Sequence, residues 1–250
     1  MTNVPIDPLA TIELTNLKAA GKLEALAKHP QLGMKPEWIG ELAQNQATYV
    51  RRSLANNPVV MNFPDIVETL SNDRRFHVRS ALAHNPAIAN FPKIIEKFSG
   101  DKSDFVREAL AHNPAIANFP EIVRKLSSDK HPNVRHYLAK NPAIASCPEV
   151  GERLSTDEDT YVRAALAQNP ALANLPEIIQ ELANDEHHFV RQALAENPSL
   201  AEFPTIAAKL STDEDWYVRY NLARNPAIPT HTASPQAWQT QPATQKAPSI

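Results

Sequence analysis

The polar and apolar positions of residues 104–112, DFVREALAH, follow the period of an α-helix. Val106, Ala109 and Leu110 are spaced i, i+3 and i+4, so they form one apolar stripe. The helix must end near Asn113, because the residue before a proline is pushed out of the α region and proline cannot donate a backbone hydrogen bond. The pattern therefore predicts a short amphipathic helix ahead of each Asn-Pro pair.

A second short helix is predicted after a linker, AIAN, at residues 115–118. It starts at Pro120, because a proline in the first turn of a helix costs no hydrogen bond. Its apolar stripe consists of Ile122, Val123 and Leu126. Two such helices are too short to be stable alone, so they must be stabilised by packing against other helices.

This pattern recurs every 28 residues without insertion, which is the signature of a helical repeat protein. A Val-Arg pair marks each first helix, with arginines at Arg51, Arg79, Arg107, Arg135, Arg163, Arg191 and Arg219. The Asn-Pro asparagines are Asn57, Asn85, Asn113, Asn141, Asn169, Asn197 and Asn225. A degenerate copy precedes them, in which His29 takes the asparagine position. We therefore predict an all-α solenoid of about eight stacked two-helix units.

A column of aspartates lies six residues before the arginines. Its members are Asp73, Asp101, Asp129, Asp157, Asp185 and Asp213. Each can cap the coming helix and can reach the arginine of its own or a neighbouring unit. We predict that the arginine, aspartate and asparagine columns form a structural ladder, because a stack needs such bonds at every interface. Contact with a ligand is the alternative, and it is the weaker one because a binding site seldom needs one side chain seven times.

The segment VRQALAENPSLAEFPTIAAKLSTDED, residues 190–215, resembles the leucine-rich repeat variant family, and the Asp to Val-Arg spacing also resembles that of HEAT repeats. The match covers about residues 22–228. The resemblance implies a right-handed α-solenoid of paired short helices, one of which can be a 3₁₀ helix. The amino-terminal cysteine cluster of the variant family is absent here, so neither its iron–sulfur centre nor any other cofactor is carried over.

The positions that vary from copy to copy on the Val-Arg helices are the candidates for recognition. Helical spacing places the residues two before, one after and five after each arginine on the solvent face. The candidate interaction surface comprises Tyr49, Arg52, His77, His84, Phe105, Glu108, His112, His136, Lys140, Tyr161, Gln168, Phe189, Gln192, Glu196, Tyr217, Tyr220 and Arg224. The aromatic members are either anchors for a partner or rings that cover the seam between units, and the sequence favours neither.

Other chemistry has little support in the sequence. His77, His84, His112 and His136 lie near one another in the repeat, but no carboxylate or cysteine stands at a fixed ligand spacing, so we predict no metal site. Cys147 takes a position filled elsewhere by Phe or Leu, so we predict a core residue and not a nucleophile. No catalytic constellation or glycine-rich phosphate loop is present, so we predict that the protein is not an enzyme and has no cofactor.

Charge gives no reason to expect nucleic acid or a membrane as partner. The chain has 25 basic and 28 acidic residues, whereas proteins that bind nucleic acid usually carry a basic excess. The amino-terminal sequence has no basic, apolar leader, so the expected location is the cytoplasm. The leading hypothesis is a scaffold that binds a protein or peptide, and the alternative is a HEAT-like protein that binds nucleic acid through its row of arginines.

We divide the chain into three parts. Residues 1–21 are a capping segment, with a helix from about Leu9 that covers the first apolar face. Residues 22–228 are the solenoid. Residues 229–250 are rich in Pro, Thr and Gln and are expected to be a disordered tail, in which Trp238 is a candidate docking motif.

Overall fold

The computed structural model describes residues 8–228, and side chains from residue 12 onward. These residues form sixteen α-helices and no strand. The α-helices are α1 (Pro8–Ala19), α2 (Leu23–Lys28), α3 (Pro36–Ala43), α4 (Thr48–Asn56), α5 (Pro64–Ser71), α6 (Phe76–His84), α7 (Pro92–Ser99), α8 (Asp104–His112), α9 (Pro120–Leu126), α10 (Pro132–Ala139), α11 (Pro148–Ser155), α12 (Thr160–Ala167), α13 (Pro176–Leu182), α14 (His188–Ala195), α15 (Pro204–Ser211) and α16 (Trp216–Arg224).

The helices repeat in the order that the sequence predicts. The Val-Arg helices are α4, α6, α8, α10, α12, α14 and α16, and each ends one or two residues before the asparagine of an Asn-Pro pair. The helices that follow, which we call the Pro helices, are α3, α5, α7, α9, α11, α13 and α15, and each begins with a proline. The all-α solenoid fold is thus confirmed.

The prediction of a linker between the two helices is wrong. Residues Pro114–Asn118 form a 3₁₀ helix, and 3₁₀ helices also occur at Leu32–Met34, Pro58–Asn62, Pro86–Asn90, Pro142–Ser146, Pro170–Asn174 and Pro198–Glu202. The asparagine explains why: the Asn113 side chain accepts a hydrogen bond from Ala115 N at 2.9 Å, and Phe119 N donates to Ile116 O at 2.8 Å. Such i to i+3 bonds define a 3₁₀ turn. Each 28-residue repeat therefore consists of three helical elements.

The core is a column of aliphatic side chains that recur in each 28-residue repeat. Leu82 and Leu110 of the Val-Arg helices, and Ile88 and Ile116 of the 3₁₀ helices, are fully buried. Cys147 is also buried, at the position where the other repeats carry Phe or Leu. Burial of an aliphatic side chain stabilises by about 1.5–3 kcal/mol, so the repeats are held mainly by contacts to their neighbours.

The chain divides into two compact units, Met1–Leu126 and Ser127–Ile250. Within the first unit α2, α4, α6 and α8 stack in order, and the 3₁₀ helices stack beside them. Within the second unit α10, α12, α14 and α16 stack in the same way. Each unit therefore buries the apolar stripes of its own short helices.

Helix α1 covers the stretch for which a capping helix is predicted. Its Leu14 is fully buried, and Lys18 pairs with Glu41 at 2.7 Å and lies over the ring of Trp38. The predicted tail, with Trp238, lies outside the described residues. In the described range, every helix falls short of the length and apolarity required to cross a bilayer.

Candidate interaction surface

The repeated arginines lie in the seams between successive helices. Arg79 Nε donates to Asp101 Oδ2 at 2.7 Å, and its Nη2 donates to Asp101 Oδ1 at 2.8 Å. Its Nη1 donates to the carbonyl oxygen of Asp73 at 2.7 Å. Each such arginine therefore joins the turn before its own helix to the corresponding turn of the next repeat, before the next Val-Arg helix. The same bidentate pairs are Arg51–Asp73, Arg135–Asp157, Arg163–Asp185 and Arg191–Asp213.

The remaining ladder residues lie in the same kind of position. The Nη1 atoms of Arg107 and Arg219 donate to the carbonyl oxygens of Asp101 and Asp213, at 2.7 and 2.6 Å. Asp129 lies in the turn before α10 and accepts a hydrogen bond from His131 N at 2.9 Å. The arginine and aspartate columns thus hold the turns together.

The aspartates do not cap the helices in the predicted way. Asp73 Oδ1 accepts from Arg75 N at 2.8 Å, and Arg75 is itself the residue before α6. The side-chain caps come two residues later where the sequence allows it, as in Asp159 before α12 and Asp215 before α16. The repeated aspartate therefore shapes the turn and leaves capping to another residue, because it stands two residues too early.

The ion pairs shift the pKa values of Asp73 and Asp101 and of the paired arginines. Burial alone would raise the pKa of Asp101, but the hydrogen bonds from Arg79 and from Ser103 N hold that pKa below its usual value. Asp73 has the same set of causes, with Arg51 and Arg75 as donors. The hydrogen bond to aspartate also raises the pKa of the five arginines with bidentate partners, which stay charged.

A pH titration tests these carboxylates. A carboxyl whose folded pKa is lowered contributes stability above its unfolded value of 3.8 and loses that contribution as the pH falls through the folded pKa. We expect the free energy of unfolding, measured with urea, to fall as the pH drops below about 4. Asp101→Asn should be less stable at pH 7 and should show a shallower acid dependence. Asp65→Asn, at an exposed position of α5, is the matched control, and an equal acid dependence in D101N and wild type would contradict the interpretation.

The asparagine column forms a second ladder at the other end of the Val-Arg helices. Asn113 Nδ2 donates to Ala83 O at 2.8 Å and to Asn85 O at 3.0 Å, which are both in the preceding repeat. Asn169, Asn197 and Asn225 make the same two bonds in the second unit. In the degenerate first copy, His29 Nδ1 accepts from Gln31 N at 3.2 Å. The imidazole therefore replaces the acceptor function of asparagine.

A third ladder, which the sequence analysis did not predict, connects the Pro helices. Lys97 Nζ donates to Ser71 Oγ at 3.0 Å, and Lys125 Nζ donates to Ser99 Oγ at 2.9 Å. In the second unit Arg153 reaches Ser127 Oγ at 3.0 Å. Serine at a step of 28 residues, with a basic residue 26 positions later, was the signal in the sequence. These residues belong to the framework.

With the constant residues occupied, two variable columns on the Val-Arg helices face solvent. The first column, two residues before the arginine, contains the exposed side chains of Tyr49, His77, Phe105, Asn133, Tyr161 and Phe189, and the half-buried Tyr217. The second, five residues after the arginine, contains Asn56, His84, His112, Lys140, Gln168, Glu196 and Arg224, which are all exposed. We call these columns the aromatic column and the polar column.

The position just after the arginine is not a solvent position in most repeats. Ala164 is buried, and the half-buried residues are Ser80, Glu108, His136, Gln192 and Tyr220, while Arg52 is exposed. Ser80 Oγ donates to Phe105 O at 3.1 Å, and His136 Nδ1 lies 3.1 Å from Tyr161 O. The expected exposure is wrong for Ala164 and only partly met at Ser80 and His136, because the next Val-Arg helix of the same unit packs against these positions.

The aromatic column both touches its neighbours and remains accessible. The rings of Tyr161 and Phe189 meet edge to face at 5.7 Å, yet Tyr161 is 67% exposed. Among the described residues, four of the six exposed large hydrophobic side chains are in this column: Tyr49, Phe105, Tyr161 and Phe189. The two interpretations of the sequence therefore do not exclude each other, because a ring of this column contacts its neighbour and still keeps a large exposed area.

At the end of the second unit the aromatic side chains of α16 form a cluster of their own. Trp216 stacks on Tyr220 at 4.9 Å and meets Tyr217 edge to face at 4.7 Å. Arg224 Nη1 donates to the Tyr220 hydroxyl at 2.9 Å. Gln168 and Asn221 both donate to Glu196, at 3.3 and 2.6 Å. Glu196 of the polar column is therefore bonded to Gln168 of the same column and to Asn221 of α16.

The histidines of the first unit pair without forming a ligand set. His84 and His112 stack with ring centroids 5.2 Å apart. Burial, and after it the charge of His112, lower the pKa of His84. In the described part of this unit, no three His, Cys, Asp or Glu side chains bring ligand atoms within 4.8 Å of one another. The stack thus offers hydrogen-bonding nitrogens beside the aromatic column.

Comparison with known proteins gives information about the fold only. No family model matches the chain, and no curated protein sequence matches it. The X-ray structure of YibA from Escherichia coli is similar, with a TM-score of 0.50, 16% sequence identity, and coverage of 82% of this chain and 86% of that chain. This similarity supports a helical repeat fold. The resemblance to HEAT or leucine-rich repeat variant units stays a prediction from the sequence.

Proposed function

We propose that the aromatic and polar columns form a surface that binds a protein or peptide, and that the protein is a scaffold and not an enzyme. One observation carries the proposal. The arginine and aspartate side chains that are constant between repeats bind one another within each unit. The aromatic side chains at the variable position are instead exposed, and they lie in one column. Aromatic residues are enriched at protein interfaces and depleted elsewhere on surfaces.

The geometry of the columns suits an extended partner. Exposed rings recur at every repeat of the first unit from α4 to α8, except where His77 substitutes, and in the second unit at α12 and α14. A polar side chain lies seven residues away on the same helix, about two turns along its axis. A partner laid across the helices would therefore meet an apolar contact and a hydrogen-bonding group at each step.

The arginine row gives little support to the nucleic-acid alternative. Arg135, Arg163 and Arg191 are each paired bidentately with an aspartate, and their side chains are at most 11% exposed. Phosphate binding would require those pairs to break, at a cost of about 3–5 kcal/mol each. The net charge of −3 adds no long-range attraction.

Replacement of the two contacting rings of the second unit tests the proposal. In Tyr161→Ala with Phe189→Ala, we expect loss of most of the proteins captured by the wild-type chain, because interface aromatics commonly contribute about 2 kcal/mol or more each. The fold should be retained, since both rings are exposed. Affinity capture with quantitative mass spectrometry measures the loss, and the thermal unfolding midpoint measures the stability.

The control is Glu177→Ala with Gln180→Ala, two exposed residues of α13 in the same unit. Capture by this control should equal wild type. If the ring variant and the control captured the same proteins in the same amounts, the proposed surface would be wrong. A gel-shift titration at low salt, where phosphate contacts are strongest, should show no complex with DNA or RNA, and a complex abolished by the ring variant would favour the alternative.

A further inference from the structure

The first unit carries a groove on the proposed surface, between the faces of α4, α6 and α8. Its volume is about 510 Å³, which is within the range of pockets that accept small ligands or side chains. Phe76, Ala81 and Phe105 form the apolar part of its lining. The rings of Phe76 and Phe105 stack at 5.1 Å, and Ser80 ties the backbone of Phe105 to α6. The groove is therefore preformed.

The polar lining of the groove contains nitrogen donors and no acid. Arg52, His77 and His84 contribute the ionisable groups, and no aspartate or glutamate lines the groove, although acidic residues outnumber basic ones in the chain. In the described part of the chain Arg52 has no ion-pair partner within 4.0 Å. The pKa of Glu24 is lowered first by Lys28, which pairs with it at 2.6 Å, and only last by the charge of Arg52. Arg52 is thus the one arginine of the Val-Arg helix α4 that the Arg–Asp ladder does not use, since Arg51 is bound to Asp73.

From this lining we infer that the groove holds an acidic peptide segment: a bulky apolar side chain packed against the Phe76 and Phe105 rings, with an adjacent aspartate or glutamate on Arg52. The inference rests on the proposed function and names the chemistry of its partner. A guanidinium binds a carboxylate bidentately, and a half-exposed ring such as Phe105, at 52% exposure, favours contact with another ring or a branched aliphatic side chain. His77 stacks on Phe76 at 3.9 Å, so it continues the aromatic wall and adds ring nitrogens to it.

A free nucleotide fits the lining less well. A phosphate group carries more charge than a carboxylate and is usually held by several donors, such as a cluster of arginines or backbone N–H groups. The groove offers one guanidinium beside the Asn56 amide and two imidazoles, with no cluster of arginines, and Ser80 Oγ is already bonded to Phe105 O at 3.1 Å. Charge complementarity therefore favours the peptide, and a mononucleotide serves as an arm of the test.

A displayed library of random peptides, selected against the full chain, tests the inference. We expect the enriched sequences to contain an aromatic or branched aliphatic residue flanked by Asp or Glu. One enriched peptide, labelled with a fluorophore, then gives affinities by fluorescence polarisation. Arg52→Glu should weaken its binding by about tenfold, with a reduced salt dependence, and Phe105→Ala should weaken it by about tenfold through loss of the apolar wall. Lys93→Glu, with the same charge change at an exposed position of α7, should stay within about twofold of wild type.

Each other outcome has a defined meaning. Enrichment of neutral or basic peptides, equal affinities in R52E, F105A and K93E, or displacement of the peptide by adenosine monophosphate would overturn the inference about the groove. In those cases the proposed function still stands if Y161A/F189A loses its captured proteins. If no peptide is enriched and the ring variant captures the same proteins as wild type, both the inference and the proposed function fail.

Discussion

Arg79→Met should lower the free energy of unfolding by about 3–5 kcal/mol, the range for breaking one partner of a buried ion pair. The side chains of Arg79 and Asp101 are each 7% exposed. Removal of the guanidinium leaves the Asp101 carboxylate and the Asp73 carbonyl without their strongest donors, in a place that water reaches poorly. Urea unfolding followed by far-UV circular dichroism measures the loss.

A double-mutant cycle separates the pair from other effects of the substitution. Arg79→Met with Asp101→Asn should cost clearly less than the sum of the two single changes, because residues in one hydrogen-bonded network are not additive. Arg74→Met, at an exposed position in the same turn, should change stability by no more than about 0.5 kcal/mol. Strict additivity in the cycle would show that the pair does not couple the turns.

Asn169→Asp should destabilise the second unit by about 3 kcal/mol or more, although the side chain keeps its shape. Asn169 Nδ2 donates to Ala139 O at 2.7 Å and to Asn141 O at 3.1 Å, and its Oδ1 accepts from Ala171 N at 2.9 Å. An aspartate keeps the acceptor, loses both donors and places a charge against two carbonyl oxygens. Thermal unfolding, together with amide hydrogen exchange of the second unit, measures the effect.

The matched control is Asn174→Asp, the same chemical change at an exposed residue at the end of the 3₁₀ helix Pro170–Asn174. It should change stability by about 0.5 kcal/mol or less. Equal losses at residues 169 and 174 would mean that the loss comes from the added charge alone. In a helical repeat, a local loss near Asn169 should spread first to the adjacent repeat, because stability in such proteins is close to a sum of nearest-neighbour interactions.

The candidate surface could be predicted only in part. The step of 28 residues separated constant from variable positions, so Tyr161 and Phe189 were identified as candidates from spacing alone. The same helical spacing placed the buried Ala164 and the half-buried Gln192 on the solvent face, because a single helix does not reveal where its neighbour packs. The groove beside Phe76 was missed, since Phe76 stands one position before the aromatic column and reaches Phe105 only across the stack.

The sequence by itself determined where the α-helices lie and that they repeat, because prolines at constant spacing dictate where these helices begin and end and apolar stripes dictate which face is buried. It also indicated that the Asp, Arg and Asn columns are framework, since identical repeats need identical joints. Only the tertiary structure decided that Arg79 binds Asp101, 22 residues later in the chain, and also the carbonyl of the aspartate six residues before it. That choice depends on the distance between stacked helices, which is a property of packing between repeats and not of the pattern within one.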